Sequence, residues 1–214
     1  EVALQLMLDR AESLRRAGDP GYLDVVWEVV ELSKRAQFHT VYALAAAALC
    51  KLGPLTDAGV LDEQVVETVA DALARCEDDA ARARCAGEAT LFFSMGGHAA
   101  LCREYFEEAL AVARRLDDDA LMISALGNAY LVLTHPSEAR RRRELADEML
   151  ARSERMDDDD ARCEALHFVF SVQVQFCDPM IRTSFVHQRM LAQQLGPGRR
   201  WMAEYQASCL DYLS

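Results

Sequence analysis

The sequence has little that would bend or break a helix. Its 214 residues include ten Gly and five Pro, clustered between periodic segments rather than spread through them. Such sparse punctuation suits long helices joined by short turns and argues against an all-β fold. No run approaches the 18 apolar residues of a membrane span, and EVALQLMLDR at the start lacks the basic-then-apolar order of a secretion signal. A cytoplasmic protein is expected. The seven cysteines (50, 76, 85, 102, 163, 177 and 209) are scattered and form no C-x-x-C pair, which fits reduced thiols used as small core residues.

Signatures of chemistry are missing too. There is no G-x-x-x-x-G-K-[ST] phosphate loop, no H-E-x-x-H, no G-x-S-x-G elbow, and no alternating oxygen ligands with a Gly turn as calcium loops require. His39, His98, His135, His167 and His187 stand at least 20 residues apart, so no metal or cofactor is expected from local spacing. Positive charge is short as well: 23 Lys and Arg against 35 Asp and Glu leave a net charge of −12, which repels phosphate backbones and anionic membranes alike.

What the sequence does have is a period. Leu116 is followed by three aspartates, as is Met156 40 residues later, and one step back lies Cys76 before Glu77, Asp78 and Asp79. Spacing of this kind marks a helical-repeat array, in which each unit needs its neighbours to bury its apolar face. Between the marks, Tyr105, Phe106, Ala109, Leu110, Ala113 and Leu116 recur at helical steps, as do Met122, Ala125, Leu126, Ala129, Tyr130 and Leu133. Helices are expected over about 1–17, 20–36, 38–52, 62–76, 79–95 and 97–115, with Asp19 capping and Pro20 opening the second, and an irregular connection over 55–61. The organising stretch, 116–160, reads as two helices around a tight turn, followed by helices over about 160–176 and 179–195 and one more to the chain's end. Within 167–176 the apolar residues alternate at period two, as in a strand, but Ala165 and Leu166 sit 40 residues after Ala125 and Leu126, which places the segment in a helical slot. The expectation is an all-α, right-handed superhelix of eleven helices, five antiparallel pairs and one unpaired, in a single domain. Residues 1–77 would be divergent and 78–214 regular.

Leu126, Gly127 and Tyr130, followed by Ala139 and Ala146, resemble the tetratricopeptide consensus, although the period is 40 rather than 34 and no Trp precedes the Leu-Gly pair. More specifically, residues 78–210, and 96–168 above all, resemble the helical-repeat region of actinobacterial signal-transduction ATPases and LuxR-family regulators of the maltose-activator type. That resemblance implies a sensor or interaction part whose output is delivered elsewhere, and a chain opening on Glu1 fits a piece of a longer regulator. It also implies that the first helix of each pair lines a concave face. Stepping by 40 then selects Arg84, Ser124 and Glu164, and Glu88, Asn128 and Phe168, as candidates to contact a peptide, a protein or a small polar metabolite. The Lys and Asn set with which some tetratricopeptide domains clamp a peptide carboxylate is not recognisable.

Two other features compete for a role. Arg140, Arg141, Arg142 and Arg143 could grip an anion, but four successive helical residues point in all directions, and Arg140 with Glu144, and Arg143 with Asp147, have ordinary surface-pair spacing. The last helix carries Trp201 and Tyr205 without an evident partner, so a constitutive scaffold or a homodimer through that helix is the rival to the sensor reading. An enzyme built on stacked helices is the minor alternative. Nothing in composition or spacing positions a nucleophile or an acid–base pair, so a non-catalytic module is expected.

Overall fold

A computed structural model of the protein describes residues 1–51 and 61–212, with the side chain of Tyr130 outside that set. All regular structure among the described residues is helical. The helices are α1 (Val2–Ala17), α2 (Tyr22–Ala36), α3 (His39–Cys50), α4 (Glu63–Arg75), α5 (Asp79–Met95), α6 (Ala99–Leu116), α7 (Asp119–Gly127), α8 (Ala129–Val132), α9 (Ala139–Arg155), α10 (Asp159–Phe176), α11 (Ile181–Gln194) and α12 (Pro197–Tyr212), with a 3₁₀ turn at Pro136–Glu138. The irregular connection expected at 55–61 lies, up to residue 60, outside the described residues.

The aspartate marks act as helix starts. Asp78, Asp118 and Asp158 each cap the following helix, their Oδ1 atoms accepting from the backbone N–H of Ala81 (2.8 Å), Leu121 (3.0 Å) and Ala161 (3.1 Å). Such caps satisfy donors that a helix N-terminus otherwise leaves orphaned. The residues before two of them, Asp117 (φ 48) and Asp157 (φ 51), hold the left-handed conformation, as does Gln37 (φ 58). That conformation turns the chain sharply after each preceding helix.

Some boundaries differ from expectation. Asp19 does not cap α2; its Oδ1 accepts from Gly21 N at 2.9 Å and forms a turn, and the helix starts at Tyr22. Asp178 behaves in the same way, bonding Met180 N at 2.9 Å ahead of α11. The first helix of the 116–160 pair, expected to carry Met122 through Leu133, breaks at Asn128, between α7 and α8. Gly127 is a weak helix former, and the Asn128 side chain is engaged elsewhere, with its Nδ2 donating to Gly87 O at 3.1 Å. The period-two run of 167–176 lies inside α10, which buries Ala161, Cys163, every residue from 165 to 170, and Val172. A helix buried nearly all round needs no amphipathic period, which is why its sequence mimics a strand.

The chain forms two compact units, Glu1–Val132 and Leu133–Ser214. The stretch 116–160 therefore spans their boundary. In the first unit α1 packs on α2 and α3, α3 on α4 and α5, and α5 on α6 and α7, so alternate helices touch in succession. Its core centres on α3, where Val41, Tyr42, Ala43, Ala45, Ala46, Ala47, Leu49 and Cys50 are buried. In the second unit α10 packs on α9 and α11, and α11 on α12. Cys50, Cys76, Cys85, Cys102 and Cys163 are buried as expected, whereas Cys209 is half-buried and Cys177 is exposed in the turn after α10.

Candidate binding face

A row of polar side chains crosses α1, α3, α5 and α7 in the first unit. It starts at Glu12, whose carboxylate accepts from Arg15 Nε and Nη2 and from Arg16 Nε, each at 2.9 Å. Lys51, at the C-terminal end of α3, places its Nζ 4.0 Å from Glu12 and 3.8 Å from Glu88 of α5. Glu88 in turn accepts from Ser124 Oγ of α7 at 3.1 Å, and one helical turn on, Asn128 donates to Gly87 O. At Gly87 the two helices are in close contact: a Cβ there would lie 3.6 Å from Ala125 Cα and from Ser124 Oγ, an ordinary van der Waals separation.

The row is partly open to solvent. Glu12 and Lys51 keep about a third of their side-chain surface (30% and 32%), and Glu88 keeps 16%. Burial alone would raise the Glu12 carboxyl. The hydrogen bonds from Arg15 and Arg16 and the Lys51 ammonium outweigh it and bring the group down to about 2. The same pairing raises Arg15. Lys51 is held more loosely than either arginine, between two carboxylates at distances beyond an ordinary hydrogen bond.

The six residues selected by the 40-residue step separate into groups. Glu88, Ser124 and Asn128 belong to this row, although Glu88 meets Ser124, 36 residues on, rather than its counterpart Asn128. Arg84 is exposed on α5 and takes no part in these contacts. Glu164 lies in the second unit, bonded to Arg199, which also donates to Asp160 at 2.8 and 2.9 Å. Burial would lower the Arg199 guanidinium, but the two carboxylates raise it. Phe168 is fully buried and belongs to the core.

The spacing missed Glu12, Arg15 and Lys51. Glu12 with Arg15 and Arg16 has the i,i+3 and i,i+4 separation that could have flagged it. Lys51 stands 37 residues before Glu88 and gave no periodic signal.

The arginine run divides by direction. Arg140 pairs with Glu144 at 3.0 Å on the surface. Arg142 is buried and donates through Nη1 to Leu133 O. Arg143 pairs with Asp178 at 2.5 Å, not with Asp147, and lies 5.2 Å from the Phe176 ring centre. Arg140, Arg142 and Arg143 thus turn to three different partners and do not converge on one point. A shallow cavity of about 380 Å³ opens beside Glu63, Glu67, Gly96 and His98 and includes no residue of the polar row. Among the described residues no group of three or more His, Cys, Asp or Glu is placed to hold a metal ion, and no helix is long and apolar enough to cross a membrane.

Fold and site together define an all-helical protein in which alternate helices are cross-linked by polar side chains. No protein-family model matches the chain, and no curated protein matches it either.

Proposed function

We propose that this chain is a non-catalytic binding module, a right-handed array of tetratricopeptide-like helix pairs that serves as the sensor or interaction part of a bacterial transcriptional regulator or signalling ATPase. The observation that carries the reading is the polar row on α1, α3, α5 and α7. Helix starts at His39, Asp79, Asp119 and Asp159 support the array, since they keep the 40-residue step.

The row offers a ligand both signs of charge, a hydroxyl and an amide on one strip. A peptide or a small zwitterionic metabolite matches such a strip better than a polyanion, which Glu12 and Glu88 would repel. Bridging several helices also couples binding to shape, because a ligand that prefers one arrangement of the helices shifts the population toward it.

The test is a thermal-shift screen with sugars, nucleotides, amino acids and short peptides. A ligand at a hundred times its dissociation constant stabilises the fold by about 2.7 kcal/mol, roughly 5–10 °C for a chain of this size. A hit that disappears in Lys51→Ala with Asn128→Ala, while that variant still melts cooperatively, supports the face. A hit that survives the double substitution moves the site elsewhere.

The second reading is a scaffold that self-associates through α12. It rests on the exposed Trp201 and Tyr205, whose rings stack 5.8 Å apart on the outer side of that helix.

A further inference from the structure

The core of the second unit is interrupted by a polar layer. One apolar cluster joins Cys163 of α10, Ala192 of α11 and Ala203 of α12, and another joins Phe170, Phe185 and Leu210 of the same three helices. Between those positions on each helix lies one buried polar residue: His167 on α10 between 163 and 170, Gln188 on α11 between 185 and 192, and Gln206 on α12 between 203 and 210. Gln188 and Gln206 are each only 1% exposed and His167 8%. The Gln206 amide and His167 Nδ1 are hydrogen-bonded at 2.8 Å, linking α12 to α10. The Oε1 atoms of Gln188 and Gln206 are buried without a hydrogen-bond partner.

A buried amide oxygen without a partner costs free energy that an apolar residue would not. Two such oxygens beside a buried imidazole are a poor way to build a stable core. They do make the seating of α12 depend on an imidazole, the side chain whose ordinary value lies nearest neutrality.

We propose that His167, Gln188 and Gln206 form an acid-sensitive latch, which seats α12 on α10 and α11 while the imidazole is neutral and loosens it when the imidazole takes up a proton.

The surroundings disfavour the charged ring. Burial lowers His167 below its ordinary value, Glu164 opposes this, and Arg199 adds to it. Glu164 and its neighbour Asp160 are both committed to Arg199. At this level α11 contributes Gln188, and its charged or titratable Arg189 and His187 lie on the exposed side. The fully buried residues of α9 are the uncharged Leu145, Ala146, Met149 and Ser153 and the charged Arg142, which is bonded to Leu133 O; its largely covered Arg152 pairs with Glu148 at 3.4 Å.

The sign follows from linkage. With a folded-state value below 6.5, seating is at full strength above about pH 6.5 and weakens as pH falls, because the released segment takes up a proton that the seated one refuses.

Hydrogen exchange of α12, followed by mass spectrometry at pH 7.5 and 5.5 and corrected for intrinsic exchange, tests the latch on wild type, His167→Gln and the exposed control His187→Gln. The expected result is an opening equilibrium raised by up to about tenfold at the lower pH in wild type and in the control. In His167→Gln, which keeps a hydrogen-bonding group but cannot titrate, that increase should vanish. Equal opening at both pH values in wild type, or an undiminished increase in His167→Gln, would overturn the proposal. Should His167→Gln not fold, NMR titration of the wild-type His167 ring decides: a midpoint below 6.5 supports the latch, and one at or above 6.5 removes it.

Discussion

Glu12 shows how one side chain gathers a site. Three cations surround it, and its carboxyl falls from 4.5 to about 2. A depressed carboxyl contributes stability that is fully present above 4.5 and is lost as pH falls toward 2. The full shift corresponds to about 3 kcal/mol, which partial exposure reduces to about 1–2 kcal/mol. Urea unfolding of Glu12→Gln at pH 7 should show a loss of that size, and the gap to wild type should close as the pH is lowered through that window. A gap independent of pH would mean that the side chain acts through packing and not through charge. At this scale the sequence was half legible. Glu12 with Arg15 and Arg16 follows local helical spacing, which a reader of the chain can see. The approach of Lys51 to Glu88, of Arg199 to Asp160, and of His167 to Gln206 depends on how neighbouring helices align, and Arg142 is buried although its three arginine neighbours suggest a solvated run.

At the scale of elements, the aspartates do more than the apolar residues to place boundaries. Asp78, Asp118 and Asp158 were readable as caps because a short carboxylate before a helical run meets orphaned N–H groups wherever it occurs. Asp19 and Asp178 look the same in sequence but form turns, and the residues after them, Pro20 and Pro179, precede the helix and do not open it. The cap on α7 deserves the more sensitive test, since this nine-residue helix has few turns over which to spread a loss. Asp118→Ala should lower stability by about 1 kcal/mol in denaturant titrations, with α7 amides losing protection first. Unchanged stability would show that packing against α5 and α6 alone fixes the start of α7. The break at Asn128 was not foreseen, because Gly127 and Asn128 sit inside an apolar pattern that otherwise continues through Leu133.

For the whole molecule, charge and apolar exposure oppose each other. Copies carrying −12 repel at low ionic strength, while the uncharged Trp201 and Tyr205 surface favours contact. If α12 mediates self-association, the mass measured by light scattering should rise with added salt, and Trp201→Glu with Tyr205→Glu should remain monomeric throughout. A wild-type mass equal to 23.9 kDa at every salt concentration would rule that association out. The uneven burial of the thiols has a practical consequence. Burial pushes Cys50, Cys85 and Cys163 away from the reactive thiolate form, whereas Cys177 stands exposed at φ 49 between α10 and α11. A maleimide fluorophore added briefly at neutral pH should therefore attach first at this corner, giving a nearly single-site optical reporter on the second unit without any engineered cysteine.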